Sequence, residues 1–286
     1  MTQLENEQLQ RFITAALTED VGDGDHTSRS TIPPNAVGEA QLIIKEPGIL
    51  AGVEEALAVF REVEAALSIT TFKSDGDAVD VGEVVLTVRG SIHSILLAER
   101  LVLNIMQRMS GIATTTHRIV AAIAGTGTKV LDTRKTTPLL RFLEKKAVLI
   151  GGGVNHRFGL YDMMLIKDNH VDYAGGITNA IRRANDYRKK MDRPIAIEVE
   201  VRNLGEIEQV LAVGGVERIM LDNFTPDALR EAVALINGRL VTEASGGITI
   251  DNIRDYAMVG VDFISIGALT HSVKSLDMSL KAKVVD

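Results

Sequence analysis

Two short stretches gather side chains able to hold a small anion. One reads Leu131-Asp132-Thr133-Arg134-Lys135-Thr136-Thr137-Pro138, the other Gly151-Gly152-Gly153-Val154-Asn155-His156-Arg157. Arg134, Lys135, His156 and Arg157 thus stand among Thr and Gly in a chain whose formal net charge is −7. Solvated surface charge has no need of such neighbours. A compact, highly anionic ligand does, because guanidinium forks and ammonium groups supply charge-assisted hydrogen bonds and glycine lets backbone N–H groups come close. Lys167 adds another cation. Glu200 and Asp222 are oxygen donors suited to ribose hydroxyls or to Mg²⁺ shared with phosphates. Ser245-Gly246-Gly247 and Gly267-Ala268-Leu269 have the small residues of a phosphate-binding turn.

Apart from the 151–157 stretch, each of these groups lies at or just past the end of a short apolar run that reads as a strand: 129–132, 163–167, 195–200, 218–222, 240–244 and 263–267. The last four runs begin at 195, 218, 240 and 263, a regular spacing that marks a repeated βα unit. Nearly continuous apolar strands alternating with helices imply a parallel sheet buried on both faces. No G-x-G-x-x-G fingerprint follows a strand, and units this compact predict a closed barrel of six or seven strands, short of a full eight. In such a barrel the C-terminal strand ends form one mouth. Glu198 and Glu243 also lie near those ends.

The first part of the chain predicts a smaller α+β unit. Apolar spacing predicts helices over 4–17, 53–67 and 92–109, and strands over 40–45, 68–72 and 83–88. Ser110-Gly111 reads as the point where the third helix ends or bends, and as the domain junction. Arg100, Asn104, Gln107 and Arg108 share a face of that helix, where Arg100 reads equally as a solvated residue or a site residue.

Blander readings compete at several positions. Lys167 could pair with Glu198 or Glu200 as well as bind a ligand, and the glycine run at 151–153 could be a turn as well as a ligand approach. Asp20-Val21-Gly22-Asp23-Gly24-Asp25 lacks the EF-hand register and reads as a capped turn. The chain contains no Cys, which excludes disulfides, thiolate nucleophiles and Cys-ligated zinc. Its acidity argues against nucleic-acid binding, and no apolar run reaches bilayer length. No basic and apolar leader opens the sequence, so a cytoplasmic location is expected.

Taken together, the motifs resemble one family, the quinolinate phosphoribosyltransferases, decarboxylating type II enzymes of NAD biosynthesis. The resemblance runs in order through Glu19-Asp20, Ala98-Glu99-Arg100, Asn104, 110–114, 132–138, 151–157, 165–170, 198–201, Leu221-Asp222-Asn223, 243–248 and 269–272. It implies an α/β sandwich domain over 1–111, completed by 270–286, and an incomplete α/β barrel over 112–269. It also implies a homodimer or a higher oligomer, with Arg100 entering the partner's site. Arg134, His156, Arg157 and Lys167 would then hold the quinolinate carboxylates, with Lys135 between quinolinate and phosphoribosyl pyrophosphate. Glu200 and Asp222 would serve the ribose and its Mg²⁺, directly or indirectly. Ser245, Gly246, Gly247, Gly267, Ala268 and His271 would hold the rest of phosphoribosyl pyrophosphate, its 5-phosphate above all. Lys135, Glu200 and Asp222 would be the catalytic residues.

Rival readings remain at this point. A sister transferase acting on nicotinate or another ring acid would need fewer cations. A barrel aldolase would use Lys167 as a Schiff-base nucleophile. A non-catalytic phosphometabolite-binding protein would need the glycine turns without Glu200 and Asp222.

Overall fold

The structure, a computed structural model, describes residues 3–191 and 193–283. In chain order the elements of the first part are α1 (Gln3–Val21), α2 (His26–Thr31), β1 (Val37–Ile44), β2 (Gly48–Ile49), α3 (Val53–Val63), β3 (Ser68–Thr71), β4 (Ala78–Val79), β5 (Val84–Ser91) and α4 (Ile92–Ala122). There follow β6 (Lys129–Leu131), α5 (Arg141–Ile150), β7 (Met163–Ile166), α6 (Asp168–Ala174), α7 (Ile177–Lys190), β8 (Ala196–Val201) and α8 (Leu204–Val213). The chain closes with β9 (Arg218–Asp222), α9 (Pro226–Ile236), β10 (Val241–Ser245), α10 (Ile253–Ala257), β11 (Phe263–Ser265), α11 (Ala268–His271) and β12 (Met278–Lys283). Among the described residues, no helix is long and apolar enough to cross a membrane.

The residues group into two compact units: the chain up to His117 with Thr137–Gly152 and everything from Ser272, and Arg118–Thr136 with Gly153–His271. In the first, an antiparallel sheet has the order β12-β1-β5-β3. Alternate residues of β1 (Ala40, Leu42, Ile44) are buried, the period-2 pattern of a sheet with one covered face. β12 pairs antiparallel with β1 from Glu39↔Lys283 to Ile44↔Met278. Asp25 caps α2 by accepting from the Ser28 N–H at 2.9 Å, so the acidic run before it is a capped turn.

Two helices differ from the sequence reading. The helix expected over 53–67 stops at Val63, where Glu64 turns extended. Ser110-Gly111 does not end α4, which continues to Ala122. Instead these small residues let backbone pack onto the helix. Ser110 Oγ donates to Ala51 O (3.1 Å) and accepts from Ala51 N (2.9 Å), and Thr114 Oγ1 accepts from Ile49 N at 2.9 Å. A Cβ at Gly111 would collide with the Lys274 carbonyl oxygen. Tertiary contact here outweighs glycine's helix penalty of about 1 kcal/mol.

The second unit is a six-stranded parallel sheet of order β6-β11-β10-β9-β8-β7, with α6 to α11 between or after its strands. All six runs expected from the sequence are strands, and β6 and β7 stand at the two ends of the hydrogen-bonded order. Helix starts follow side-chain logic. Asn203 Oδ1 accepts from Glu206 N at 3.0 Å before α8, and Thr225 Oγ1 accepts from Ala228 N before Pro226 opens α9.

Candidate active site

The second unit carries a cavity of about 770 Å³ at the C-terminal ends of its strands. Arg134 and Lys135 enter it after β6, His156 and Arg157 before β7, and Lys167 after β7. Glu200 comes from β8 and Asp222 from the end of β9. Ser245, Gly246 and Gly247 follow β10, and Gly267, Ala268 and His271 follow β11. Of the site residues expected from the sequence, Arg100 is the exception: it is exposed on α4 in the first unit. The glycine run at 151–153 is also absent from the cavity wall. Gly151 ends α5 against α4, where a Cβ would lie 2.5 Å from Ala113 O, and Gly152 turns the chain at φ 89°.

On the cationic side, Arg157 Nη1 donates to Met163 O at 3.1 Å. Burial, then the nearby charge of Arg134, lowers the Arg157 pKa. Two like charges kept together in this way form a receptor for an anion. Lys167 Nζ lies 3.0 Å from Glu200 Oε2, so its sequence-level pairing resolves onto Glu200.

On the opposite side, burial raises the Asp222 pKa, and a 2.6 Å hydrogen bond from Asn223 Nδ2 to Asp222 Oδ2 opposes the rise. Asn223 adopts the left-handed conformation (φ 58°), which asparagine tolerates better than most residues, and its N–H donates to Ser245 O at 2.8 Å. Gly246 (φ 92°) sits so close that a Cβ would collide with Asn223 Oδ1. A Cβ at Gly247 (φ 64°) would meet nothing within 4 Å, which leaves its backbone accessible. Asn223 therefore ties the acidic strand end to the glycine turn. The sequence reading did not assign it a role, although Asp-Asn followed by a Ser-Gly-Gly turn was the available signal.

Gly267 makes room at the remaining corner. A Cβ there would lie 2.9 Å from Lys135 Cδ and 3.0 Å from His271 Nε2. Thr270 Oγ1 fixes the Lys135 carbonyl by donating to it at 2.7 Å.

One layer deeper, Glu198 and Glu243 are fully buried. Because Glu198 and Glu200 are two apart on β8 they share a face, and only Glu200 reaches the mouth. His156 Nε2 lies 2.9 Å from Glu198 Oε2 and 3.4 Å from Glu243 Oε2. Burial alone would lower the imidazole's pKa, but these carboxylates outweigh it and push it up to about 9. Burial likewise pushes Glu198 up to about 7. The two carboxylates differ, for Glu243 is held below the usual range despite its burial, chiefly by its contact with His156.

Glu200 and Asp222 fit Mg²⁺ as hard oxygen donors, and two carboxylates suit an ion coordinated mostly by substrate phosphates and water.

Comparison with known proteins agrees with this geometry. The family described as quinolinate phosphoribosyl transferase, C-terminal domain, matches residues 112–281, and its N-terminal domain matches residues 25–110. The chain belongs to the quinolinate phosphoribosyltransferase family. Quinolinate phosphoribosyltransferase [decarboxylating] 1b of Nicotiana tabacum is 46% identical, over 96% of this chain and 82% of that protein. The probable nicotinate-nucleotide pyrophosphorylase [carboxylating] of Bacillus subtilis (strain 168) is 42% identical, over 96% and 93% respectively. The crystal structure of NadC from Streptococcus pyogenes superposes with a TM-score of 0.94 at 39% identity, covering 100% of both chains.

Proposed function

We propose that this member of the quinolinate phosphoribosyltransferase family transfers phosphoribosyl from phosphoribosyl pyrophosphate to the ring nitrogen of quinolinate. Loss of CO₂ then gives nicotinate mononucleotide. The observation that carries this reading is the division of one cavity. Arg134, Lys135, Arg157 and Lys167 bring cations to it, and Glu200, Asp222 and the turns at Ser245–Gly247 and Gly267 bring what a ribose phosphate needs.

Arg134, Arg157 and Lys167 receive the two ring carboxylates, and Lys135 stands where the ring meets the sugar. Leaving of pyrophosphate builds positive charge on the ribose carbon, which Glu200 and Asp222 stabilise. Glu200 and Asp222, with the substrate's own oxygens, would hold Mg²⁺, which would supply positive charge to neutralise the leaving pyrophosphate. The ring nitrogen then forms the bond to that carbon and becomes cationic. The C–CO₂⁻ bond next to it breaks, leaving its electron pair on the ring carbon beside the cationic nitrogen, and a proton completes nicotinate mononucleotide. Positioning and electrostatics suffice, so no residue is a covalent nucleophile.

A Schiff-base role for Lys167 fits poorly, because its side chain is 46% exposed and ion-paired to Glu200 rather than desolvated. A nicotinate-specific site would leave part of the cationic set without an anion to bind.

The functional unit in this reading is at least a dimer, because Arg100 serves the partner's site, and we place the enzyme in the cytoplasm. Lys135→Ala and Arg157→Ala are expected to abolish turnover of quinolinate with the fold intact. Wild-type-like turnover in either folded variant overturns the assignment. Mixing inactive Arg100→Ala with inactive Lys135→Ala subunits should restore about a quarter of the activity, since random pairing makes half of the dimers mixed, each with one whole site. No restoration would place Arg100 outside the partner's site.

A further inference from the structure

The turn after β10 is held at both of its ends, and the second hold has no part in the mechanism above. At its start the Asn223 N–H donates to Ser245 O at 2.8 Å. At its far end stands Asn252, half-buried and outside the cavity wall. Asn252 Oδ1 accepts the Thr249 N–H at 2.8 Å, and Asn252 Nδ2 donates to Gly247 O at 3.2 Å. A backbone N–H offers only a proton and a carbonyl only lone pairs, so these two partners fix the orientation of the amide.

Asn252 immediately precedes α10, a place where asparagine commonly caps a helix. Its side chain makes no such capping bond. It turns back instead and bridges Gly247 and Thr249, closing that segment into an arc. Main chain alone starts the helix, since Ile253 N donates to Thr249 O at 2.9 Å. The bonding capacity of the amide therefore goes to the turn.

What the arc presents explains why such a clamp is useful. Gly246 and Gly247 are both left-handed, at φ 92° and 64°, and the segment from Gly246 to Thr249 lines the cavity. Among the described residues, no protein group accepts the N–H of Gly247 or of Ile248. Consecutive N–H groups left open on a curved backbone make a concavity for an anion. Two adjacent glycines would leave that curve loose, because glycine gives up more conformational freedom on ordering than any other residue. We infer that Asn252 is a positioning residue for the phosphoribosyl end of the site: its amide spans Gly247 and Thr249 and holds the turn in the curved form that offers the Gly247 and Ile248 N–H groups to the 5-phosphate. This rests on the reading of the Ser245–Gly247 turn as the 5-phosphate site.

Inhibition by the two halves of phosphoribosyl pyrophosphate tests the inference, with ribose 5-phosphate and pyrophosphate as probes of the full-length wild type, Asn252→Ala and Asn252→Ser. Asn252→Ala should raise the ribose 5-phosphate inhibition constant and the phosphoribosyl pyrophosphate KM about tenfold, a factor equal to about 1.4 kcal/mol and of the order of one net hydrogen bond. Pyrophosphate inhibition and the quinolinate KM should stay within about twofold, because their part of the site does not depend on the arc. Asn252→Ser separates the clamp from a helix cap without adding charge. Serine caps helices about as well as asparagine, so a capping role predicts near-wild-type behaviour. A hydroxyl one bond shorter cannot span Gly247 O and the Thr249 N–H together, so the clamp predicts most of the loss seen in Asn252→Ala. Unchanged ribose 5-phosphate inhibition in folded Asn252→Ala, full recovery in Asn252→Ser, or equal weakening of pyrophosphate and quinolinate would each overturn the inference. If Asn252→Ala does not fold, Asn252→Ser decides: weakened ribose 5-phosphate with pyrophosphate intact supports the clamp, and unchanged inhibition refutes it. Wild-type enzyme inactive on quinolinate and indifferent to ribose 5-phosphate would instead sink the functional reading, a separate result.

Discussion

Gly267 is the position where a single methyl group tests the site with least damage to the fold. An alanine Cβ would lie 2.9 Å from Lys135 Cδ and 3.0 Å from His271 Nε2, and Gly267 is not among the left-handed glycines. Carbon contacts settle near roughly 3.5–4.0 Å, so both side chains must withdraw by about 0.5–1 Å. Lys135 and His271 meet the new methyl with flexible side-chain atoms, and the stability loss should stay below about 1 kcal/mol. Catalysis is less forgiving, since a 1 Å misplacement costs about a hundredfold. That factor corresponds to about 2.7 kcal/mol of barrier. The assay pairs thermal unfolding with kcat/KM for phosphoribosyl pyrophosphate. Gly267→Ala should lose about a hundredfold in kcat/KM while its Tm moves by no more than about 4 °C. Gly246→Ala is the contrast: its φ of 92° and the Asn223 backbone N only 2.8 Å from the new Cβ should cost stability as well as activity. Near-wild-type kcat/KM in folded Gly267→Ala would refute the view that Lys135 and His271 need that space.

Three further outcomes are expected. Asn223→Gly and Asn223→Ala should both raise the phosphoribosyl pyrophosphate KM by releasing Asp222, but only Ala should also lose about 1–2 kcal/mol for its left-handed backbone. A normal KM in Asn223→Gly would remove the orienting role. Gly111→Ala should destabilise the protein strongly in chemical denaturation, because its methyl meets the Lys274 backbone oxygen rather than a side chain. Stability should also fall in mildly alkaline solution. His156 is pushed up to about 9 in the folded state, so its contribution is complete below its unfolded pKa and is lost as pH rises through 9. That unfolded pKa is about 6.5. The drop should be smaller in His156→Asn, and an equal drop in both proteins would show that other groups cause it.

Much of this architecture was legible in the sequence because the strands of the second unit are apolar runs with polar punctuation. The run read over 218–222 is β9 itself, and the others agree with β6, β7, β8, β10 and β11 to within two residues. The site was legible for the same reason, since charged residues at the ends of buried strands need a common purpose. Ser110-Gly111 misled because a local break signal says nothing about the backbone at Ile49–Ala51, whose N–H groups are accepted by Thr114 and Ser110. Gly151 misled in the same way, its closeness being to α4 rather than to a ligand. Depth was hidden too. Glu198 and Glu200 look alike in sequence, and only the neighbouring strands and His156 make one a buried anchor and the other a mouth residue.

Product analysis is the most direct test of the central claim. Purified protein would be incubated with phosphoribosyl pyrophosphate and Mg²⁺, with quinolinate or nicotinate offered in parallel. The account predicts nicotinate mononucleotide, pyrophosphate and CO₂ from quinolinate, and no mononucleotide from nicotinate. Mononucleotide from nicotinate alone would contradict the reading of the cationic pocket, and product from neither would contradict the transferase reading itself.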